Sequence, residues 1–383
     1  MIRDLDVKGG RVRDIILSLR DVQVHFSTRR GVVKALDGIN LNIYNGDIFG
    51  LVGETGCGKS VTAFSILNLV PSPGEIVNGE VWFKGEDLLR KSANEIRKIR
   101  GAGISMVFQD PMTYLNPVFT IGDQLTAVIL LYIGLSGAAI EREIQWMKAR
   151  LQEESLPQHE SWKLKDLISK LEAKKDNPDK LPKSVLKQLA TNKVVYTLKL
   201  VRMPDAERVM HEYPHELSGG MRQRVMIAMM LSCNPELLIA DEATTNLDVT
   251  IQAQILELIR DLRDRVGCSF LIITHDFGIV AETCEKIAVM YAGNIVEVAK
   301  TRDLFHNPRH PYTEALLKCI PKLSSDVEKL EVIQGNVPDL INPPSGCRFN
   351  PRCLLTTDIC RKEKPKLIEV ESKHFVACHH RTG

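Results

Sequence analysis

The sequence predicts an α/β fold, and three observations carry that prediction. Residues 48–52, 237–240 and 271–274 are short apolar runs with the length and branching of buried strands. Each run ends in glycine, acidic or imidazole residues rather than in an ordinary turn. Residues 61–69, just past the first run, carry helical spacing, so strand, glycine-rich loop and helix follow in order.

The first run leads into Gly53-Glu54-Thr55-Gly56-Cys57-Gly58-Lys59-Ser60, followed by Val61. This G-x-x-x-x-G-K-S pattern is a phosphate-binding loop, and it predicts a P-loop NTPase core. Glycines let the backbone turn tightly enough to aim several N–H groups at phosphate oxygens. The helix N-terminus adds partial positive charge at the same point. Lys59 is predicted to reach the β- and γ-phosphates of ATP, and the Ser60 hydroxyl to ligate Mg²⁺. Cys57 stands at a helix N-terminus, where a lowered thiol pKa is expected.

The second run ends in Asp241-Glu242. Asp241 is placed to hold Mg²⁺, and Glu242 is the candidate general base for the attacking water. The third ends in His275, within reach of a γ-phosphate.

Composition limits the alternatives. The chain has 383 residues, enough for a core domain with additions, and its 44% hydrophobic content suffices for ordinary cores. Fifty basic and 48 acidic residues leave a net charge of +2, which gives no reason to expect nucleic acid or a membrane surface as the main partner. Residues 1–14 are charged, so no signal peptide is expected. The most apolar stretch, residues 127–135, falls far short of the ~20 residues that cross a bilayer. A cytosolic chain that reaches membranes through partner proteins is expected.

Leu217-Ser218-Gly219-Gly220-Met221-Arg222-Gln223-Arg224 resembles the signature of ATP-binding-cassette (ABC) ATPases. GMRQRVMIA (220–228), LLIADEATTNLDVT (237–250), VMYAGNIV (289–296) and NPRHPYTEALL (307–317) resemble the ATPase subunits of oligopeptide and dipeptide importers, the peptide/nickel branch. The resemblance covers residues 12 to 380, apart from one insert. It implies an ABC ATPase core with an antiparallel β subdomain, a helical subdomain and a C-terminal metal-binding extension. It implies that Gln109 senses Mg²⁺ and the transport partner, and that Phe26 stacks on adenine. It also implies that Ser218, Gly219 and Gly220 contact ATP held by another cassette, and that Asp248 crosses the interface between cassettes. The implied partners are a second ATPase subunit in a heterodimer, two transmembrane permeases and an extracellular solute-binding protein. The implied location is the cytoplasmic face of the membrane, and the cargo is peptide, with nickel or another small solute as the alternative. Ala243 and Asn246 depart from the Pro and Ala usual in the family, which bears on the backbone leading to Asp248.

Four segments are expected. Residues 1–110 carry the phosphate loop and β subdomain, and 111–215 the helical subdomain. Residues 216–300 complete the ATPase core, and 301–383 form the extension. The helical subdomain includes a lysine-rich insert near 146–195. Trp162, Leu164, Leu167, Ile168 and Leu171 share one predicted helix face, Asn177-Pro178 breaks the helix, and Leu186, Leu189, Val194 and Leu198 mark a second. The expected arrangement is a helical hairpin with a solvated face laid on the subdomain.

Four of the nine cysteines fall in the last 37 residues, spaced C-x5-C-x6-C-x17-C: Cys347, Cys353, Cys360 and Cys378. The proline- and glycine-rich stretch 343–353 cannot be regular helix or strand, so it needs a cross-link to be ordered. In a reducing compartment metal is the expected link, as zinc or an iron–sulfur cluster, with His379 and His380 as substitute ligands. The resemblance favours [4Fe–4S], because this importer branch has a matching cysteine pattern. A structural clamp, unconnected to the ATP site, is expected.

Overall fold

The computed structural model describes residues 6–8, 11–108, 114–134, 137–152, 156–173, 181–243, 248–320 and 333–381. Its strands in chain order are β1 (Asp6–Lys8), β2 (Arg11–Arg13), β3 (Ile15–Thr28), β4 (Gly31–Tyr44), β5 (Ile48–Val52), β6 (Gly74–Phe83), β7 (Glu86–Asp87), β8 (Ile104–Val107), β9 (Leu237–Asp241), β10 (Ser269–Thr274), β11 (Lys286–Tyr291), β12 (Asn294–Lys300), β13 (Ile368–Glu371) and β14 (His374–Val376). The chain divides into two compact units, one of residues 1–92, 239–242 and 263–383, the other of 93–238 and 243–262. No single described helix is long and apolar enough to cross a membrane.

The first unit is built on two large sheets beside the two-stranded β1-β2 sheet. An antiparallel sheet runs in the order β4-β3-β6-β7. Its two long strands extend well beyond the short apolar cores 22–26 and 39–43, because a hairpin ladder continues through polar residues once the buried face is set. Within this unit the strands of the second large sheet run β13-β14-β12-β11-β5-β10-β9. At its centre β5 pairs in parallel with both β10 and β11. Every residue of β5, β9 and β10 is buried, as expected of strands covered on both faces. The register sets Val52 opposite Thr274, which brings the loop at the end of β5 alongside His275.

The C-terminal extension is tied to this sheet. β14 pairs antiparallel with β12, and the buried Glu297 of β12 holds the extension in place. Its carboxylate accepts hydrogen bonds from the backbone N–H groups of Arg309 and His310, at 2.7 and 2.9 Å, and contacts His374 Nε2 at 2.7 Å. Burial raises the carboxyl pKa, but these hydrogen bonds outweigh it and hold the pKa below the ordinary value.

The second unit is mainly helical. Helices Ile121–Gly134, Gly137–Arg150, Gln158–Glu172 and Lys183–Leu200 occupy the region where helical periodicity dominates the sequence. Leu164, Leu167, Ile168 and Leu171 are buried as their spacing predicts, but Trp162 is 71% exposed and does not belong to that face. The break at Asn177-Pro178 lies outside the described residues. The second insert helix also departs from expectation. Lys183–Leu200 packs against Ile121–Gly134 and against Gly219–Leu231, so it is part of the subdomain core rather than an outer layer. Lys193 is therefore buried, not solvated, and is paired with the buried Glu143. The ring of Trp146 lies 5.1 Å from its ammonium. Burial pushes the Glu143 carboxyl pKa up while Lys193 opposes it.

Candidate functional site

Three neighbouring strand ends of the first unit, those of β5, β10 and β9, present the phosphate loop, His275 and Asp241-Glu242. Gly53, Gly56 and Gly58 all have positive φ. Two of them are also sterically required. A Cβ on Gly53 would lie 2.1 Å from the Met290 carbonyl, and one on Gly58 would lie 2.9 Å from that of Ala35. Thr55 and Gly56 are exposed at the loop tip, and Val61 is half-buried in the first turn of helix Lys59–Ile66.

Lys59 opens that helix, with a side chain that is almost fully buried. Its ammonium donates to the carbonyls of Gly53 at 2.8 Å and Glu54 at 3.1 Å. The loop folds over its own lysine, and phosphate oxygens can replace those carbonyls as acceptors. Ser60 is hydrogen-bonded to Asp241. Asp241 is buried, yet its Oδ1 has no hydrogen-bond partner among the described residues. Burial raises the pKa of this carboxyl, the Ser60 hydrogen bond and Lys59 lower it, and Glu242 raises it further. A desolvated carboxylate oxygen without a partner, beside a hydroxyl, suits a hard divalent cation such as Mg²⁺.

Glu242 carries two further signs of a functional position. It adopts a left-handed backbone, φ 48°, which a non-glycine residue holds only at a cost of order 1–3 kcal/mol. Its N–H donates to the Ile273 carbonyl at 2.8 Å, which pins the turn. Its carboxylate meets His275 Nδ1 at 3.1 Å.

Other predicted residues fall as follows. Phe26 is half-buried on β3, its ring against Gly74. Ser218 caps helix Gly219–Leu231, its Oγ accepting from the Met221 N–H at 3.3 Å. Gly220 is buried, and a Cβ there would lie 2.7 Å from Ile251. Asp248 accepts from the Ile251 N–H at 2.9 Å at the start of helix Val249–Val266. Ala243 is buried, whereas Gln109 and Asn246 lie outside the described residues.

The expectation for Cys57 is overturned. Its thiol is fully buried, and burial pushes its pKa up despite Lys59, whose ammonium lies 3.9 Å away. Desolvation outweighs the helix terminus here.

Cys347, Cys353, Cys360 and Cys378 all line one small cavity together with His310, His379 and His380. Cys360 Sγ lies 3.4 Å from His380 Nε2. Burial pushes the Cys347 thiol up to about 11 and also raises Cys353 and Cys378. Among the described residues, no three His, Cys, Asp or Glu side chains form a site ready for a metal ion.

Two residues at the phosphate loop were not anticipated. The Tyr312 hydroxyl accepts from the Glu54 N–H at 3.1 Å, and Arg352 pairs with the Glu54 carboxylate. They lie 258 and 298 residues from Glu54, and neither falls in a phosphate motif. A cavity of about 1000 Å³ in the first unit does not include the loop. Asn40, Tyr44, Lys286, Asn294, Arg348 and Phe375 are among its walls.

Comparison with known proteins gives concordant results. The ABC transporter family profile matches residues 36–245, and the profile of the oligopeptide/dipeptide transporter C-terminal region matches 296–360. The chain is 44% identical over 367 residues to a probable peptide ABC transporter ATP-binding protein, y4tR, of Sinorhizobium fredii, covering 95% of each. It is 41% identical to the oligopeptide transport ATP-binding protein AppD of Bacillus subtilis, covering 95% of this chain and 96% of the relative. It is 39% identical to the dipeptide transport ATP-binding protein DppD of Escherichia coli, with the same coverage. Among solved structures it is similar in fold to a dimeric ATP-binding cassette, MJ0796, bound to ADP and phosphate. The TM-score is 0.53 at 22% identity, covering 75% of this chain and 99% of that one. It is also similar to cbiO1 of Clostridium perfringens, with a TM-score of 0.54 at 24% identity, covering 77% and 92%.

Proposed function

Because this chain belongs to the ABC transporter family, with the C-terminal region of the oligopeptide/dipeptide branch, we propose that it binds and hydrolyses ATP to power import of oligopeptides or dipeptides. The observation that carries the reading is the buried Asp241 Oδ1 beside Ser60, unpartnered among the described residues, at the same strand ends as Lys59 and the Glu242–His275 pair.

Backbone N–H groups of residues 53–60 cradle the phosphates, and Lys59 leaves its carbonyl partners for the β- and γ-oxygens. Ser60 and Asp241 would hold Mg²⁺, with Gln109 as a further ligand. Bound Mg²⁺ neutralises charge that develops on the phosphate oxygens. Water attacks the γ-phosphorus as the bond to the bridging oxygen of ADP breaks, and its proton passes to Glu242. His275 orients Glu242 and meets the γ-phosphate. Phe26 packs on adenine.

The remaining motifs serve a partner. Ser218, Gly219 and Gly220 close over ATP held by a second cassette, and Asp248 lines the same interface. That second cassette is a related subunit, so the pair is a heterodimer. It acts at the cytoplasmic face of the membrane with two permeases and an extracellular solute-binding protein.

The four extension cysteines suit a sulfur-bound inorganic group, since all four line one cavity. The reading is a [4Fe–4S] cluster, with zinc as the alternative, that cross-links the extension. Iron and acid-labile sulfide in anaerobically purified protein test it, and colourless, iron-free protein rejects it.

The test of the whole reading is reconstitution. The chain, purified with its co-purifying permeases and second cassette, is expected to drive peptide uptake into vesicles only with Mg–ATP. Peptide uptake that proceeds without ATP, or ATP hydrolysis indifferent to the permeases and peptide, would contradict it.

A further inference from the structure

The phosphate loop is held from outside by the cysteine-bearing turn of the extension. Arg352 lies directly before Cys353 and has a buried side chain, 5% exposed. Its Nη1 donates to Glu54 Oε2 at 2.7 Å and its Nη2 to Glu54 Oε1 at 3.1 Å, a two-bond fork. Its Nε donates to the Gln334 carbonyl at 3.0 Å, which fixes the guanidinium plane from the other side. Tyr291 packs against the same group, 5.7 Å from ring centre to Cζ. Glu54 is thus engaged three times. Its carboxylate meets Arg352, its N–H donates to Tyr312, and its carbonyl accepts from Lys59.

The chemistry of this residue needs an explanation. Glu54 sits inside a loop that must receive a triphosphate, and its carboxylate carries the same charge as the ligand. An unpaired anion there would repel ATP, most strongly where water is partly excluded. A fork to arginine cancels the charge and fixes the carboxylate's direction, which a lysine's single point charge does less well. We infer that Arg352 is a positioning residue for ATP binding, which neutralises Glu54 and holds it back, so that the competence of the phosphate loop depends on the cysteine-bearing turn. The inference rests on the reading of this loop as the ATP site.

Calorimetric titration with Mg–ATP separates this role from a plain tether, using wild type, Arg352→Ala, Arg352→Lys, Glu54→Gln and the double variant Glu54→Gln/Arg352→Ala. Arg352→Ala is expected to weaken binding roughly tenfold, and the deficit should shrink at high salt. Arg352→Lys should fall between wild type and alanine. Glu54→Gln alone measures what loss of the carboxylate costs the loop, and the double variant should bind more tightly than Arg352→Ala, by about threefold or more, because no carboxylate remains to repel ATP. Thermal unfolding of each variant tracks folding. If Arg352→Ala does not fold, the lysine and double variants carry the test. Wild-type affinity in Arg352→Ala, or a double variant as weak as Arg352→Ala, overturns the inference. Wild type that does not bind Mg–ATP overturns the ATP-site reading and this inference with it.

Discussion

The phosphate loop and the cysteine-bearing turn of the C-terminal extension are both irregular chain, yet they are ordered in opposite ways. The loop shapes itself through glycines with positive φ and a lysine that returns to its own carbonyls six and five residues back. The extension is ordered by long side chains that reach distant parts of the first unit. Arg348 donates to the carbonyls of Lys34 and Ala292 and pairs with Asp37, Lys364 also meets Asp37, and Arg352 meets Glu54. Local order produces a motif that spacing reveals. Order by distant partners leaves no such trace.

That difference can be broken or sharpened by substitution. The largest expected effect is at the chemical step. Glu242→Gln should lower ATP hydrolysis by about 10²–10⁴-fold while Mg–ATP binding persists, measured as steady-state phosphate release beside calorimetric affinity. Near-normal turnover would remove Glu242 as the base. Lys59→Ala should act on binding instead. Loss of a charge-assisted contact of about 1.5–3 kcal/mol predicts an affinity lower by roughly tenfold to a hundredfold.

In the extension, Arg348→Ala should behave unlike either. It strands two backbone carbonyls beneath a buried side chain, and each unmet acceptor costs about 1–3 kcal/mol. The expected result is a lower Tm with ATP affinity close to wild type. An affinity loss without loss of stability would blur the contrast between the two regions.

How much of this was legible follows the same divide. Gly53 to Ser60, Asp241, Glu242 and His275 could be placed on strand ends because each motif joins its own strand locally. Strands β5, β9 and β10 stand where the same three runs place them. Arg352 and Tyr312 could not be placed, because their partner lies far off in sequence and a single arginine among basic residues carries no spacing signal. Lys193 misled because a lysine-rich stretch implies solvent, whereas Glu143, fifty residues earlier, makes its burial tolerable. Trp162 misled because helical spacing marks a face without telling where that face ends. Cys57 misled because the helix terminus is visible in the sequence and its burial is not.

The smallest expected effect is on acid stability. Hydrogen bonds hold the Glu297 pKa below its unfolded value of about 4.5, so its stabilising effect is full above that value and is lost as pH falls through the folded pKa. Tm measured below about pH 5 should therefore fall less steeply in Glu297→Gln than in wild type, from a lower plateau. Parallel curves would remove Glu297 from the acid response.

The proposed site requires Lys59, Ser60 and Asp241 to gather around one magnesium-bound triphosphate. The most direct measurement is calorimetric titration of the purified chain with ATP, with Mg²⁺ and then with chelator, in wild type and Asp241→Asn. Saturable binding that weakens at least about tenfold on removing either Mg²⁺ or the Asp241 carboxylate is the predicted result. No binding, or affinity that is the same under all these conditions, would contradict the claim.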